Sequence, residues 1–338
     1  MPAALFPPCV AGPAAGLRLG LGGAPLGNLF APVSAGDALA TIEAAWAGGC
    51  RSFDTAPHYG HGLSERRLGD ALRAHPRDSF VLSSKVGRLL RPNPAAARSQ
   101  HGYVDVLPFE QCWDYSADGV RRSLEDSLQR LGLARIDVAY VHDCDAATHG
   151  LQAGAVLRQV LSQTLPALQR LKTEGLIRAI GLGVNDAAVV RAVLREAELD
   201  ALLLAGRYSL LDHSALPELL PQCAARGVHL ALGGVFNSGI LAGGARGANA
   251  NFNYAPAARE WLERTARIEA LCEQYAVPLR AAALQFVMAH PAVEIVMLGA
   301  RSAAEWRDAQ AMARTPIDRE FWLALREAGL LPAGAPTP

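Results

Sequence analysis

The sequence has no surplus of charge, few aromatic residues and no long apolar run, and each absence excludes a class of protein. Lys plus Arg and Asp plus Glu number 32 each in 338 residues, so no excess of cations is available for nucleic acid or an anionic membrane. No apolar run reaches the roughly 18 residues of a membrane-spanning helix. Because hydrophobic residues make up 51% of the chain, it is unlike a disordered protein. We expect a globular protein with a small-molecule partner.

Cysteine is also scarce, and no CxxC pair is present to suggest a disulfide framework or a zinc site. The chain start lacks the basic segment of a secretory signal, and its prolines would break the helix that such a signal needs. We therefore expect a cytoplasmic protein with reduced thiols and no bound metal. The six cysteines are Cys9, Cys50, Cys112, Cys144, Cys223 and Cys272.

Short apolar runs alternate with stretches of helical period along the whole chain, which is typical of βα units. Eight runs fit buried strands: LGLGGAPL, CRSFDTA, FVLSSKV, IDVAYVHD, IRAIGLGV, DALLLAG, VHLALGG and EIVMLGA. Eight such units predict a closed (β/α)8 barrel of the TIM type. An open doubly wound sheet is the alternative, but GLGGAPLG is not the GxGxxG fingerprint with a helix behind it.

Helix boundaries and loop lengths complete this prediction. Ser116 and Gly132 fit the cap residues of the helix in SADGVRRSLEDSLQRLGL. Long segments follow the third strand, over 86–115, and the seventh, over 233–257. Segments of such length usually carry function, and both follow strand ends at the face where barrel active sites lie. We expect one domain over 1–338, with flexible tails at 1–16 and 331–338.

Four polar residues fall at the ends of predicted strands, which would bring them to one barrel mouth. Asp54 ends the second strand with Tyr59 just after it, Lys85 ends the third and His142 the fourth. Lys85 would need a partner if buried, and Asp54 is the candidate. A nearby ammonium would favour the Tyr59 phenolate, and lowering a tyrosine pKa from about 10 to about 7 needs roughly 4 kcal/mol. We expect a proton-transferring tyrosine, with His142 hydrogen-bonded to a substrate oxygen.

The segments FDTAPHYG, LSSKVG and DVAYVHD, which carry these residues, resemble the signature of the aldo-keto reductase superfamily, and the resemblance runs from about residue 17 to 312. It implies a barrel that binds a nicotinamide cofactor and a catalytic tetrad of Tyr59, Asp54, Lys85 and His142. Further segments are most similar to the branch of L-fucose and D-threo-aldose 1-dehydrogenases, L-galactose dehydrogenase and pyridoxal 4-dehydrogenase, which oxidise a cyclic hemiacetal to a lactone.

The resemblance also implies where the cofactor binds. In GLGVN, Asn185 would hold the nicotinamide carboxamide, with Val184 in place of the serine of many members. Where members have a glutamine and a stacking tyrosine, this chain has Ala205 and Gly233, and Phe236 is the substitute we consider. The segments VFNSGILAGG and GARSAAEWRDA resemble the pyrophosphate and adenosine contacts. The further cofactor candidates are Gly23, Tyr208, Asn237, Ser238, Gly239, Leu241, Gly299, Arg301, Ser302, Glu305 and Asp308.

Glu305 favours NAD, with NADP as the alternative, because a carboxylate binds a ribose diol and repels a 2′-phosphate. His58 and Trp113 are the substrate-binding candidates, and Tyr103 is a further candidate for the pocket wall. We interpret His61 as part of a solvated turn and SERRLGDALR as a capped, solvated helix face. The run HDCD, residues 142–145, resembles a metal cluster only in composition, since strand alternation would point neighbours to opposite faces.

These residues predict an NAD(P)-dependent oxidoreductase that oxidises C1 of an aldose to the lactone. Pyridoxal 4-dehydrogenase and a general NADPH-dependent aldehyde or ketone reductase are alternatives within the family. A non-catalytic, cofactor-sensing subunit and a metal-dependent barrel hydrolase are alternatives of other classes.

Overall fold

The eight predicted strands form a closed parallel barrel in the computed structural model, which describes residues 4–248 and 250–338. Each strand pairs with its neighbour in sequence and the last pairs with the first. This confirms the (β/α)8 barrel and excludes the open doubly wound sheet. The strands are β1 Leu19–Gly22, β2 Ser52–Asp54, β3 Val81–Val86, β4 Val138–His142, β5 Ala179–Val184, β6 Ala201–Ala205, β7 His229–Gly233 and β8 Val293–Gly299.

Both faces of these strands are covered, which explains why they read as continuous apolar runs rather than alternating ones. Every residue of β3, β4 and β5 is buried. One set of side chains, including Val138, Leu203 and Ile295, fills the barrel interior. A larger set packs between the barrel and the surrounding helices.

The helices lie outside the barrel, and their ends follow the expected caps. Ser116 accepts a hydrogen bond from the Gly119 amide, and Gly132 closes the same helix in the left-handed conformation that glycine adopts without strain. The helices are α1 Ala35–Ala47, α2 Leu63–Leu72, α3 Ala117–Leu131, α4 Ala146–His149, α5 Ala153–Gln159, α6 Leu165–Thr173, α7 Ala187–Glu196, α8 Leu219–Arg226, α9 Ile240–Gly243, α10 Arg259–Gln274, α11 Leu279–Ala289, α12 Ala303–Met312 and α13 Arg319–Glu327.

The two long loops carry structure of their own above the carboxyl ends of the strands. The loop after β3 contains an antiparallel hairpin, Arg88–Pro92 with Phe109–Trp113. The described part of the loop after β7 contains α9 and a short hairpin, Asn251–Phe252 with Ala255–Pro256. Both loops therefore build over the barrel mouth.

The described parts of the two terminal segments pack against the barrel, in contrast to the flexible tails expected from the sequence. Phe6 is 1% exposed and belongs to the cluster inside the barrel. Ala335 is buried, and its carbonyl accepts a hydrogen bond from Arg326. Apolar burial at both ends offsets the cost of ordering them. Within the described residues, none of the helices has the length and apolar character to cross a membrane.

Candidate active site

A buried ion pair joins β2 and β3 at the mouth of the barrel. The Lys85 ammonium donates to both carboxylate oxygens of Asp54, at 3.0 and 2.8 Å, and to the Thr55 carbonyl at 2.8 Å. Ser83 donates a further hydrogen bond to Asp54 at 2.7 Å. The side chains of Lys85 and Asp54 are 2% and 4% exposed, so neither charge would be tolerated without the other. The predicted pairing is therefore present.

Tyr59 lies beside this pair because the turn that carries it is fixed by two glycines. A Cβ on Gly27 would lie 2.5 Å from the Tyr59 carbonyl carbon, and Gly60 has a φ of 65° against the backbone of Gly27. The Lys85 ammonium lies 4.6 Å from the Tyr59 ring centroid, and the His142 ring meets the Tyr59 ring edge-on at 6.2 Å. The structure thus brings Asp54, Tyr59, Lys85 and His142 together.

The expectation that Lys85 lowers the pKa of Tyr59 is wrong for this structure. Burial, and then the Asp54 carboxylate, raise the pKa of the Tyr59 phenol well above its ordinary value. The physical reason is that both oxygens of Asp54 neutralise Lys85, and no hydrogen bond joins the ammonium to the phenol within the described residues. Tyr59 is consequently a neutral phenol in this state of the protein.

A cavity of about 400 Å³ opens above these residues at the barrel mouth. Tyr59, Lys85 and His142 line its base. Loop residues, among them Tyr103 after β3 and Tyr254 after β7, form its walls. Tyr59, Lys85 and His142, which were predicted from separate strand ends, therefore share one pocket, and Asp54 is bound to Lys85 beside it.

Two histidines that line the cavity are held neutral. Burial is the main cause that lowers the pKa of His142 and of His58 well below the ordinary value, and the Arg88 guanidinium is the second. The Nδ1 atom of His58 lies 2.8 Å from Oε1 of Gln111 in the hairpin after β3. His142 Nδ1 is buried with no hydrogen-bond partner within the described residues. Neutral imidazole can offer one N–H donor to a substrate oxygen.

Sequence reasoning missed three residues at or beside the cavity that bear on its chemistry. Asp143 and Tyr254 line the cavity, and Arg88 binds the Asp143 carboxylate. Strand alternation was the wrong guide for HDCD, because β4 ends at His142 and Asp143 already lies beyond the strand. Tyr254 sits at a hairpin tip with a φ of 64°, and its hydrogen bond to Asn185 lowers a pKa that burial raises. Nothing local in the sequence marks these positions.

The predicted cofactor residues divide between the cavity and the core. Asn185 lines the cavity together with Val184 and Ala205. By contrast, Tyr208 is fully buried against Phe286 of α11. Gly23 packs against Ser64 and Asp54, Phe236 is half-buried against the core, and Leu241 is buried. Three residues after β7 form hydrogen bonds: Asn237 with Ser209, Ser238 as acceptor from the Tyr254 amide, and Gly239 as donor to the Phe236 carbonyl.

The segment after β8 carries two exposed ion pairs. Glu305 accepts hydrogen bonds from the Arg301 amide at 2.8 Å and from the Arg301 guanidinium at 3.0 and 2.7 Å. Asp308 pairs with Arg280 of α11 at 3.2 Å. Ser302 caps α12, and Gly299 ends β8. The guanidinium of Arg301 is thus already bound by an acidic neighbour.

Three further interpretations are corrected or refined. His61 is fully buried, with Nδ1 2.6 Å from the Phe109 carbonyl, rather than in a solvated turn. Glu65 is fully buried and paired with Arg130 at 2.5 Å, so that face of α2 is not solvated. Trp113 is 42% exposed and stacks on Arg88 at 4.1 Å, outside the residues that line the cavity. Long-range partners decided each case.

Comparison with known proteins agrees with this geometry. The sequence model of the Aldo/keto reductase family matches residues 18–329. The chain belongs to this family. It is 45% identical to pyridoxal 4-dehydrogenase of Microbacterium luteolum, covering 93% of this chain and 94% of that one, and 42% identical to D-threo-aldose 1-dehydrogenase of a Pseudomonas species, covering 94% and 97%. The holo form of aldo-keto reductase AKR11C1 from Bacillus halodurans shares the fold, with a TM-score of 0.68 and 23% identity over 94% of this chain and 93% of that one.

Membership makes the protein an oxidoreductase that uses a nicotinamide cofactor, and the cavity residues fit one. Asn185 offers both a donor and an acceptor for a carboxamide. The cavity volume of about 400 Å³ provides space, and Gly183 and Ala205 are small residues of its lining. The cavity thus has the polar groups and the space that a nicotinamide ring needs.

Proposed function

We propose that this protein oxidises the anomeric carbon of an aldose in its cyclic hemiacetal form to the lactone, with NAD as the acceptor. The observation that carries the proposal is the convergence of Tyr59, His142 and the Lys85–Asp54 pair at the base of one cavity. The bound cofactor supplies hydride acceptance. The chain must then orient the hemiacetal and take the proton of its hydroxyl group.

Tyr59 is the residue we assign to that proton. Its ring forms the cavity base, and the His142 ring approaches it edge-on at 6.2 Å, so one substrate oxygen can contact both. His142, held neutral, would orient this oxygen through a hydrogen bond. Because the pKa of Tyr59 is raised, the neutral phenol predominates at neutral pH. The rate at which the protein oxidises the hemiacetal should therefore be limited by the small fraction of phenolate.

The Lys85–Asp54 pair is assigned a positioning and electrostatic role. The ammonium lies over the Tyr59 ring, 4.6 Å from its centroid, and this cation–π contact holds the ring in position at the cavity. Asp54 and the Thr55 carbonyl hold the ammonium in place through hydrogen bonds of 2.8 to 3.0 Å. Preorganisation of this kind avoids rearrangement during the reaction.

The preference for NAD is supported by the pair at the start of α12. Arg301 is the cation there that would suit a 2′-phosphate, and Glu305 binds its guanidinium through two hydrogen bonds and its amide through a third. A 2′-phosphate would have to displace this carboxylate and would be repelled by it. NAD, which carries a ribose diol at that position, meets neither cost.

Pyridoxal is the second candidate substrate. The relative at 45% identity is a pyridoxal 4-dehydrogenase. Pyridoxal also closes into a cyclic hemiacetal, because its aldehyde has a neighbouring hydroxymethyl group. The aromatic wall of the cavity, where Tyr103 stacks on Tyr59 at 6.1 Å, suits a flat ring.

The test is to follow reduced cofactor and lactone while the protein is offered NAD or NADP with L-fucose, L-galactose, D-arabinose or pyridoxal. The matched control is the methyl glycoside of each sugar, which has no anomeric hydroxyl proton to lose. We expect lactone from a free sugar and none from its glycoside, with NAD preferred. Reduction of simple aldehydes by NADPH with no oxidation of any hemiacetal would contradict the proposal.

A further inference from the structure

Asp143 is held in a conformation that needs an explanation. It directly follows His142 at the end of β4, and its φ is 43°, in the left-handed region that costs a residue other than glycine about 1 kcal/mol or more. Its carboxylate oxygen Oδ2 lies 3.5 Å from His142 Nε2, at the cavity. The strained backbone therefore places a carboxylate beside a residue assigned to the reaction.

The main chain at this point is fixed without help from the Asp143 side chain. The Asp143 amide donates to the Gly183 carbonyl at 3.0 Å, and the Tyr115 hydroxyl donates to the His142 carbonyl at 2.7 Å. Asn and Asp are the residues other than glycine that adopt this conformation most readily. A change of Asp143 to Asn should therefore leave the turn intact.

Arg88, which is outside the residues that line the cavity, binds the carboxylate through Oδ2. Its guanidinium is 2.5 Å from Asp143 Oδ2 and lies 4.1 Å from the Trp113 ring centroid. The Arg88 side chain is 6% exposed, whereas that of Asp143 is 21% exposed. Among residues 4–248 and 250–338, the hydrogen bond that this carboxylate accepts goes from Arg88 to Oδ2, so Oδ1 is left to accept one from a ligand.

Asp143 lines the cavity together with three tyrosines from other segments. Asp143 contributes to the raised pKa of Tyr59 after β2, Tyr103 after β3 and Tyr254 after β7. All three tyrosines line the cavity. Asp143 therefore borders the same cavity as these tyrosines and His142.

We propose that Asp143 binds the ring hydroxyl groups of the sugar next to the carbon that loses hydride. This assignment rests on the proposed function and adds the group that would recognise a polyol. A carboxylate is an acceptor only, and it forms strong hydrogen bonds with neighbouring hydroxyls. Arg88 is a positioning residue that keeps the carboxylate oriented while Oδ1 stays open. The protonated pyridine nitrogen of pyridoxal is the other donor of suitable chemistry.

The experiment measures binding as well as turnover. The dissociation constants of L-fucose, L-galactose, their 2-deoxy and 3-deoxy forms, and pyridoxal are measured by calorimetry on protein saturated with NADH, where no oxidation can occur. The variants are Asp143→Asn and, as a matched control, Asp118→Asn, which removes an exposed carboxylate on α3. Melting temperature and NADH affinity report whether each variant is folded.

We expect Asp143→Asn to weaken binding of the intact sugar by about 10- to 100-fold, as for a hydrogen bond to a charged group. The same loss should follow when wild type is given the deoxy sugar that lacks the contact. Asp143→Asn should bind that deoxy sugar less than about twofold more weakly than wild type does, because both changes remove the same interaction. Turnover should show a raised KM with kcat little changed, and Asp118→Asn should match wild type.

The assignment would be overturned, even if hemiacetals are oxidised, by either of two results. One is that the affinity losses of the variant and of the deoxy sugar multiply, and the other is that Asp143→Asn binds the intact sugar as tightly as wild type. Weaker binding of pyridoxal alone would also overturn it, by assigning the carboxylate to the ring nitrogen. Failure to oxidise any hemiacetal would instead contradict the proposed function. Arg88→Lys should recover part of the sugar affinity that Arg88→Gln loses, whereas equal loss in both would contradict its positioning role.

Discussion

The two ends of the barrel are built on opposite principles. At the amino end, the Phe6 side chain fills the interior, and Glu294 accepts a hydrogen bond from the Phe6 amide at 2.6 Å and contacts His229 at 2.5 Å. At the carboxyl end there is a cavity, a buried His142 nitrogen without a partner among the described residues, and a partly open Asp143 carboxylate. The polar groups named at the amino end are bonded within the protein, whereas those at the carboxyl end are available to a ligand.

Backbone strain follows the same division. Eleven described residues other than glycine have a positive φ, and ten of them lie in loops that follow the carboxyl ends of strands. Phe30, His101, Asp143 and Tyr254 among them line the cavity. Such conformations cost about 1 to 3 kcal/mol each and persist where the surroundings enforce them. Packing at the amino end thus stabilises the barrel, whereas the carboxyl end carries strained conformations that place side chains at the cavity.

The largest expected effect is on turnover at the mouth. Tyr59→Phe removes the hydroxyl that we assign to proton transfer and should lower kcat by about 10² to 10⁴-fold. NADH affinity and melting temperature should remain those of wild type, because the ring and its packing are kept. Steady-state kinetics with the best hemiacetal make the measurement, and undiminished turnover would remove Tyr59 from the mechanism.

Lys85→Met should be the most destabilising single change at the mouth. It leaves Asp54 buried and unpaired, which costs about 3 to 5 kcal/mol in the free energy of unfolding. The double variant Lys85→Met with Asp54→Asn should recover much of this loss, because the unpaired charge is gone. Urea unfolding checks both, and equal losses in the single and double variants would contradict the buried-pair account.

Phe6→Ala tests the amino end of the barrel. Deleting a buried phenylalanine should cost about 3 kcal/mol of stability. Because Phe6 lies at the end of the barrel away from the cavity, kcat/KM at a temperature where the variant is folded should be that of wild type. A large fall in kcat/KM with unchanged stability would reverse the comparison.

The pH dependence of oxidation should follow the phenol. A pKa raised above its ordinary value means that Tyr59 is protonated at pH 7, so the phenolate fraction rises about tenfold for each pH unit up to that pKa. We expect kcat/KM for oxidation to increase between about pH 7 and pH 9, whereas the reverse reduction, which uses the neutral phenol, should stay unchanged over this range. A flat profile for the oxidation would show that proton transfer does not limit it.

The smallest expected effect is on cofactor choice. Glu305→Gln removes the carboxylate that binds Arg301 and should shift the preference from NAD toward NADP by about tenfold, the effect of one exposed charge on a phosphate. Cofactor titrations by fluorescence give the ratio directly. An unchanged ratio would show that this pair does not select the cofactor.

The sequence was sufficient to predict features that depend on local chemistry or on a repeated pattern. Eight apolar runs predicted the eight strands, Ser116 and Gly132 predicted the ends of α3, and strand ends predicted that Asp54, Lys85 and His142 meet. It was insufficient where a distant partner decides burial. His61 and Glu65 look like surface residues until Phe109 and Arg130 cover them.

The cavity walls were beyond sequence reasoning for a related reason. Asp143 lines the cavity because β4 ends one residue earlier, and Tyr254 reaches Asn185 from a hairpin tip about 20 residues after β7. The path of a long loop is not encoded in periodicity, and strand alternation does not extend past the strand end at His142. The direction of the Tyr59 pKa shift likewise depended on how completely Asp54 neutralises Lys85.

The most direct test of the account is the rate of NADH formation by wild type and Tyr59→Phe with a free sugar hemiacetal, its methyl glycoside and pyridoxal. The account predicts NADH and lactone from wild type with a free hemiacetal, no reaction with the glycoside, and a fall of about 10² to 10⁴-fold in Tyr59→Phe. Absence of NADH from every hemiacetal, or equal rates in the two proteins, would contradict it.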